Sequence, residues 1–137
     1  MTNLKKAIFP IFFLIIAAIL WNSCNENPYK QGKIYYSMYC ANCHMENGSG
    51  LKGIIPPLAQ VDYLSKYRSE LPCIIRKGQK GLIVVNGIEY NQQAMLPIAK
   101  LTEFEITNIL NYVGTSWGNT EKLFTVEEVR DGLNKCP

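Results

Sequence analysis

The sequence predicts a mainly α-helical domain of ordinary size, and three observations predict it. In "QGKIYYSMYC" Gly32, Tyr36 and Cys40 recur at four-residue steps, which is one face of a helix. Thr102 and Glu105 form a capping box at the head of a second apolar-periodic stretch that runs to Gly114. The strongest turn signal, Asn86-Gly87, lies within the apolar, β-branched stretch "GLIVVNGIEYN", which reads as one small hairpin on an otherwise α-helical fold. At 137 residues, 47% of them hydrophobic, the chain is about one domain long and can bury a core. It has no internal repeat and no low-complexity tract. Its net charge of +3 includes Lys5 and Lys6; without them 14 − 2 = 12 basic residues face 11 acidic ones, a balance that gives no case for nucleic-acid binding.

The first element is a targeting segment. Lys5 and Lys6 precede an uncharged apolar run from Ala7 to Trp21, followed by Asn22-Ser23-Cys24. The run falls short of the roughly 18 apolar residues of a spanning helix, and a basic start before a short apolar core is the pattern of a secretory signal. Ser23 before Cys24 resembles a bacterial lipoprotein signal, which implies that residues 1–23 are removed and that Cys24 is lipidated as the first mature residue. Trp21 and Asn22 depart from that family's box, where Leu and a small residue are usual. An uncleaved anchor helix and an ordinary cleaved signal are the other two readings. All three imply export to the bacterial cell envelope, and the lipoprotein reading adds membrane anchoring facing the periplasm or the outside. Residues 24–29, polar and broken by Pro28, read as a tether, and 30–137 as the domain.

The helix that carries Gly32 and Tyr36 runs into "CANCH", which concentrates Cys40, Cys43 and the chain's only histidine, His44, in five positions. Three sites share that spacing: covalently attached haem, half of a zinc site, and a redox dithiol. A thioredoxin-like dithiol needs a strand before the motif, and a helix precedes it here. Zinc needs four ligands, nominally Cys40, Cys43, Cys73 and Cys136, but the last two are isolated and far apart. Haem uses all three residues, two thiols for the vinyl groups and His44 for the iron. A six-coordinate haem then needs a distal ligand. Met1 belongs to the signal, and Met38 and Met45 lie too close to His44 to reach the opposite face. Met95, in "YNQQAMLPIAK", remains.

Between the two ligands, "VDYLSKYRSELPCIIRKG" reads as one or two short helices stopped by Gly78, and "GLIVVNGIEYN" as the hairpin. Leu101 and Ile106 staple the capping box, so the next helix starts at Glu103 and stops at Gly114, with Phe104, Ile109, Tyr112 and Val113 facing inward. Gly32 lets this helix cross the first closely, with Tyr36 and Tyr112 packed at the crossing. Thr125 and Glu128 make a second box, stapled by Phe124 and Val129, that opens a terminal helix ending near Cys136. Cys73 and Cys136, the two cysteines left over in an exported protein, are expected to pair as a disulfide, pinning the tail to the short helix before Gly78. In the chain-entropy model a loop of about sixty residues gives roughly 4 kcal/mol.

These elements resemble a class I, single-haem c-type cytochrome over Tyr29 to about Gly118. The resemblance rests on Gly32, Tyr36 and Cys40 in the first helix, on "CANCH", on Pro56 in "IIPPLAQ", on Met95-Leu96-Pro97, and on Ile109 with Tyr112 in the last core helix. It implies the cytochrome c fold, a small helical domain wrapped around one covalent haem c, with the hairpin before the distal Met loop and the terminal helix as additions. It implies that the carbonyl of Pro56, or failing that of Pro57, accepts a hydrogen bond from the imidazole of His44. "SWGN", Ser116 to Asn119, is similar to cytochrome domains that serve as subunits of dehydrogenases or terminal oxidases. Axial ligation by His44 and Met95 leaves outer-sphere electron transfer between redox proteins as the chemistry, a dehydrogenase, an oxidase or another cytochrome being the donor or acceptor. Docking would use the edge near Ala41, Asn42 and the Met95 loop, with Lys52, Lys77, Lys80 and Lys100 as candidate contacts. The opposing readings are a peroxidase-like or gas-binding haem protein with an open sixth position, and a zinc module without haem.

Overall fold

The computed structural model describes residues 29–136. The signal, most of the tether and Cys24 lie outside the described residues. Among the described residues six helices and one hairpin follow in order: α1 (Lys30–Tyr39), α2 (Ala41–His44), α3 (Tyr63–Lys66), α4 (Leu71–Lys77), β1 (Ile83–Val85), β2 (Ile88–Tyr90), α5 (Glu103–Gly114) and α6 (Val126–Asn134). This is the mainly helical arrangement with a small antiparallel hairpin and a terminal helix that the sequence predicts. Among the described residues no helix is long and apolar enough to cross a membrane.

The architecture is organised by the crossing of α1 and α5. A Cβ built on Gly32 would collide with the carbonyl oxygen of Asn108 and press on Cβ of Tyr112, so only glycine lets the two backbones approach this far. Over the crossing lie three rings. Tyr36 is fully buried, with its centroid 5.5 Å from that of Tyr112 and 5.1 Å from that of Trp117, and Trp117 meets Tyr112 edge-on at 5.5 Å. Tilted pairs at these separations stabilise by about 0.5–1.5 kcal/mol beyond their buried area. The Tyr36 hydroxyl is not stranded by this burial, because it donates to the Met45 carbonyl at 2.6 Å.

The capping box of α5 is complete: Thr102 Oγ1 accepts from the Glu105 N–H at 3.3 Å and the Glu105 carboxylate accepts from the Thr102 N–H at 2.7 Å. Leu101 and Ile106, its staple, are both buried. One expectation for this helix fails. Phe104 is 59% exposed. Ile106, Ile109, Leu110 and Val113 form the buried stripe, and at about 100° per residue Phe104 lies about 200° from Ile106 around the axis.

The hairpin pairs Ile83 with Tyr90, Val84 with Glu89 and Val85 with Ile88. Asn86 and Gly87 adopt φ of 50° and 77°, the mirror-image turn that matches strand twist. Asn86 also pins the tip. Its side-chain carbonyl accepts from the Asp62 N–H at 3.0 Å, its own N–H donates to the Asp62 carboxylate at 2.8 Å, and its amide donates to the Gln60 carbonyl at 3.0 Å.

Helix α6 is capped by Thr125 Oγ1, which accepts from the Glu128 N–H at 3.1 Å, and is stapled by buried Phe124 and Val129. The Glu128 carboxylate is held below the usual range chiefly by hydrogen bonds from Arg68, at 2.7 and 3.0 Å. Arg68 also lies 3.6 Å over the Phe124 ring and donates to the carbonyls of Lys122 and Leu123. Cys73 on α4 is paired with Cys136 after α6, their Cα atoms 5.5 Å apart, across a sequence separation of 63 residues.

Gly32→Ala is expected to cost about 3 kcal/mol or more, because the collision is with backbone and cannot be relieved by rotating a side chain. Denaturant midpoints of the haem-loaded protein measure it; a loss under about 1 kcal/mol would mean that α1 and α5 can separate without penalty.

Candidate functional site

Cys40 ends α1, its N–H bonded to the Tyr36 carbonyl at 2.8 Å. Its own carbonyl accepts from the N–H groups of Cys43 and His44 at 3.1 and 2.9 Å, so the five residues of the motif close into a single turn. Cys40 is buried and Cys43 exposed, and neither is in a disulfide. Met45 leaves this turn at φ 63°, and Gly50 N–H returns to the His44 carbonyl at 3.0 Å.

His44 Nδ1 lies 3.1 Å from the carbonyl oxygen of Pro56. A carbonyl can only accept, so Nδ1 carries the proton and Nε2 is left with its lone pair, the form of imidazole that binds a metal. Burial lowers the pKa of His44 and favours the neutral ring, while the Pro56 carbonyl works against it by favouring the charged form. The carbonyl that the structure places on His44 is that of Pro56; Pro57 is not needed. Gly50 makes the approach possible. It has φ +62°, and a Cβ there would collide with the carbonyls of Ile55 and Pro56.

Met95 is held by backbone. The N–H of Gln79 donates to the Met95 carbonyl at 3.1 Å and the N–H of Met95 donates to the Gln79 carbonyl at 2.9 Å. A side chain at Gly78 would strike that same carbonyl. Two further bonds tie the loop to α4: Ile98 N–H to the Ile75 carbonyl at 3.1 Å, and Arg76 Nη2 to the Leu101 carbonyl at 2.7 Å. Met95 is partly buried against the core, whereas Met38 is 63% exposed on α1.

This donor set fits a covalent haem: two thiols and an imidazole on one turn, and a thioether fixed by backbone on a distant segment. Leu51, Ile54 and Leu82 between them, and Leu96 just after Met95, are exposed apolar side chains. Arg76 Nε is buried with no hydrogen-bond partner, a spare donor beside the Met95 loop. The zinc arrangement does not form, because Cys73 and Cys136 bond to each other, and among the described residues no three His, Cys, Asp or Glu converge on a point. Of the lysines named for docking, Lys100 stands 4.9 Å over the ring of Tyr39, the neighbour of Cys40.

Two residues that sequence reasoning left without a role stand behind the His44 turn. Trp117, at φ 52°, covers Gly48, where a Cβ would strike its ring. Asn119 donates from Nδ2 to the carbonyls of Leu58 and Val113 at 2.7 and 2.8 Å. The signal available for both was the block "SWGN" itself, a buried-type aromatic followed by turn residues after a helix end.

Residues 29–117 match the family model described as Cytochrome c. Among curated proteins the chain is similar to a protein named cytochrome c-552 from Thermus thermophilus, 39% identical over 107 residues, covering 72% of this chain and 79% of that one. It is similar to the same degree to a second cytochrome c-552 from a further strain of Thermus thermophilus, covering 70% of that chain.

Replacing Gly50 by Ala is expected to displace the Pro56 carbonyl from His44 and to destabilise the protein by about 1–3 kcal/mol, from positive φ and backbone collision together. Denaturation, with proton exchange at the His44 ring N–H, reads both effects, and exchange as slow as in the parent would show that the loop does not need glycine there.

Proposed function

The chain belongs to the cytochrome c family, and from that membership we propose that it is a single-haem electron carrier with His44 and Met95 as axial ligands and Cys40 and Cys43 as attachment points. It carries a covalently bound haem c and works in haem-based electron transfer. When bound, haem c supplies a one-electron ferric–ferrous couple. The observation that carries the ligand assignment is the bond between His44 Nδ1 and the Pro56 carbonyl, which orients the ring and leaves Nε2 as the donor. Met95 contributes an uncharged thioether, a soft donor that favours the ferrous state and raises the potential. With both axial positions filled by side chains, the protein offers no place for a substrate to react. Its residues act by excluding water and by holding two ligands so that little moves when charge changes.

The partners are redox proteins, a dehydrogenase, an oxidase or another cytochrome. Leu96, 74% exposed next to Met95, together with exposed Asn42, supports docking at that edge, whereas Ala41, named with them from the sequence, is buried. We place the domain outside the cytoplasm, anchored to the membrane by lipid on Cys24, on the strength of the basic, apolar, small-residue and cysteine order in the first 24 residues.

Met95→Ala should retain covalent haem, since attachment needs only Cys40, Cys43 and His44, but should lose the red charge-transfer band of thioether-ligated ferric haem and gain carbon monoxide binding. An unchanged spectrum in the variant, or carbon monoxide binding by the parent, would defeat Met95 as ligand and favour a gas-binding or peroxidase-like protein.

Cys24→Ser should abolish labelling with radioactive fatty acid and block lipoprotein processing. Membrane partitioning of the variant at precursor mass would assign the anchor to an uncleaved apolar helix.

A further inference from the structure

We propose that Asn119 is a positioning residue for the proximal ligand: it ties the loop bearing Pro56 to the end of α5 and thereby sets the hydrogen bond on His44. The inference rests on the reading of His44 as an axial ligand.

The Pro56 loop hangs from two supports. On the side of the haem motif, the N–H groups of Leu58 and Ala59 both donate to the Gly48 carbonyl, at 2.7 and 3.1 Å. On the other side the Leu58 carbonyl accepts from Asn119 Nδ2, whose second hydrogen goes to the Val113 carbonyl at the end of α5. Both amide hydrogens are committed, so Asn119 is a rigid clamp between helix and loop. The clamp is itself fixed: its N–H donates to the Ser116 carbonyl at 2.9 Å, and Ser116 Oγ, buried, donates to the Tyr112 carbonyl. Without the amide, the Val113 carbonyl keeps the Ser116 N–H at 3.2 Å, but the Leu58 carbonyl loses its donor. The loop then relaxes towards water, and the Pro56 carbonyl, two residues away, moves with it.

A stretched bond at Nδ1 makes Nε2 a poorer electron donor, which destabilises the ferric state relative to the ferrous. Asn119→Ala, and Asn119→Leu, which fills the same space without a donor, should therefore raise the reduction potential. We expect a change of at least threefold in the one-electron equilibrium, about 28 mV at 59 mV per tenfold, with His44 ring N–H exchange at least threefold faster. Should the alanine variant fail to fold, the leucine variant carries the test.

Arg68→Met provides the control, since it loses stability at α6 without touching the loop and should leave the potential where it was. Unchanged potential and exchange in the Asn119 variants, or an equal rise in Arg68→Met, would overturn the inference and leave Asn119 a general stabiliser. A parent protein without hyperfine-shifted His44 ring resonances would overturn the ligand assignment itself, which separates the two failures.

Discussion

The close approach of α1 and α5 at Gly32 is the constraint on which the remainder depends. Because the Gly32 backbone rests against Asn108 and Tyr112, the direction of α1 is set by α5. The turn that follows α1 inherits that direction, and with it Cys40, Cys43 and His44. The three-ring cluster of Tyr36, Tyr112 and Trp117 resists both sliding and rotation at this point, since tilted rings interlock where aliphatic side chains could exchange rotamers. Position of the chemistry and stability of the fold are thus decided by the same contact.

The C-terminal end of α5 is a second hub, and it arises from a general property of helices. The last turn of any helix leaves carbonyls without intrahelical donors. Here those of Tyr112, Val113 and Gly114 are taken by Ser116, Asn119 and Glu121, so the chain folds back over the helix end. That return brings Trp117 onto Gly48 and Asn119 onto Leu58. Groups that most helices give to water become the mounting for the loop behind His44.

Much of this was legible in the sequence because it depends on local chemistry. The four-residue spacing of Gly32, Tyr36 and Cys40 names a helix face without reference to any other segment, Asn86-Gly87 names its own turn, and Thr102 with Glu105 closes a box within four residues. What escaped depends on partners distant along the chain. Nothing near Arg68 announces that it will pair with Glu128, stack on Phe124 and cap two carbonyls more than fifty residues on. Asn86 reads as a turn residue, and its bonds to Asp62 are invisible until the hairpin is laid against that loop. Phe104 shows the opposite failure. Its hydrophobicity suggested burial, but its angle around α5 places it with Asn108 rather than with Ile106 and Ile109. The carbonyl of Pro56 was reached by resemblance rather than by pattern, since a backbone acceptor has no side-chain signature.

The bond between Cys73 and Cys136 turns the later part of the chain into a covalent ring. The ring contains the whole stretch from Gly78 to Leu101, where two three-residue strands are the only regular structure and where Met95 sits. Such stretches are where proteases cut folded proteins. A single cut there would open the ring without dividing the molecule, so the severed segment bearing Met95 would stay at the high effective concentration of an intramolecular partner. Damage that would cost an unbridged cytochrome its distal segment becomes, in this topology, a nick that the fold can hold closed.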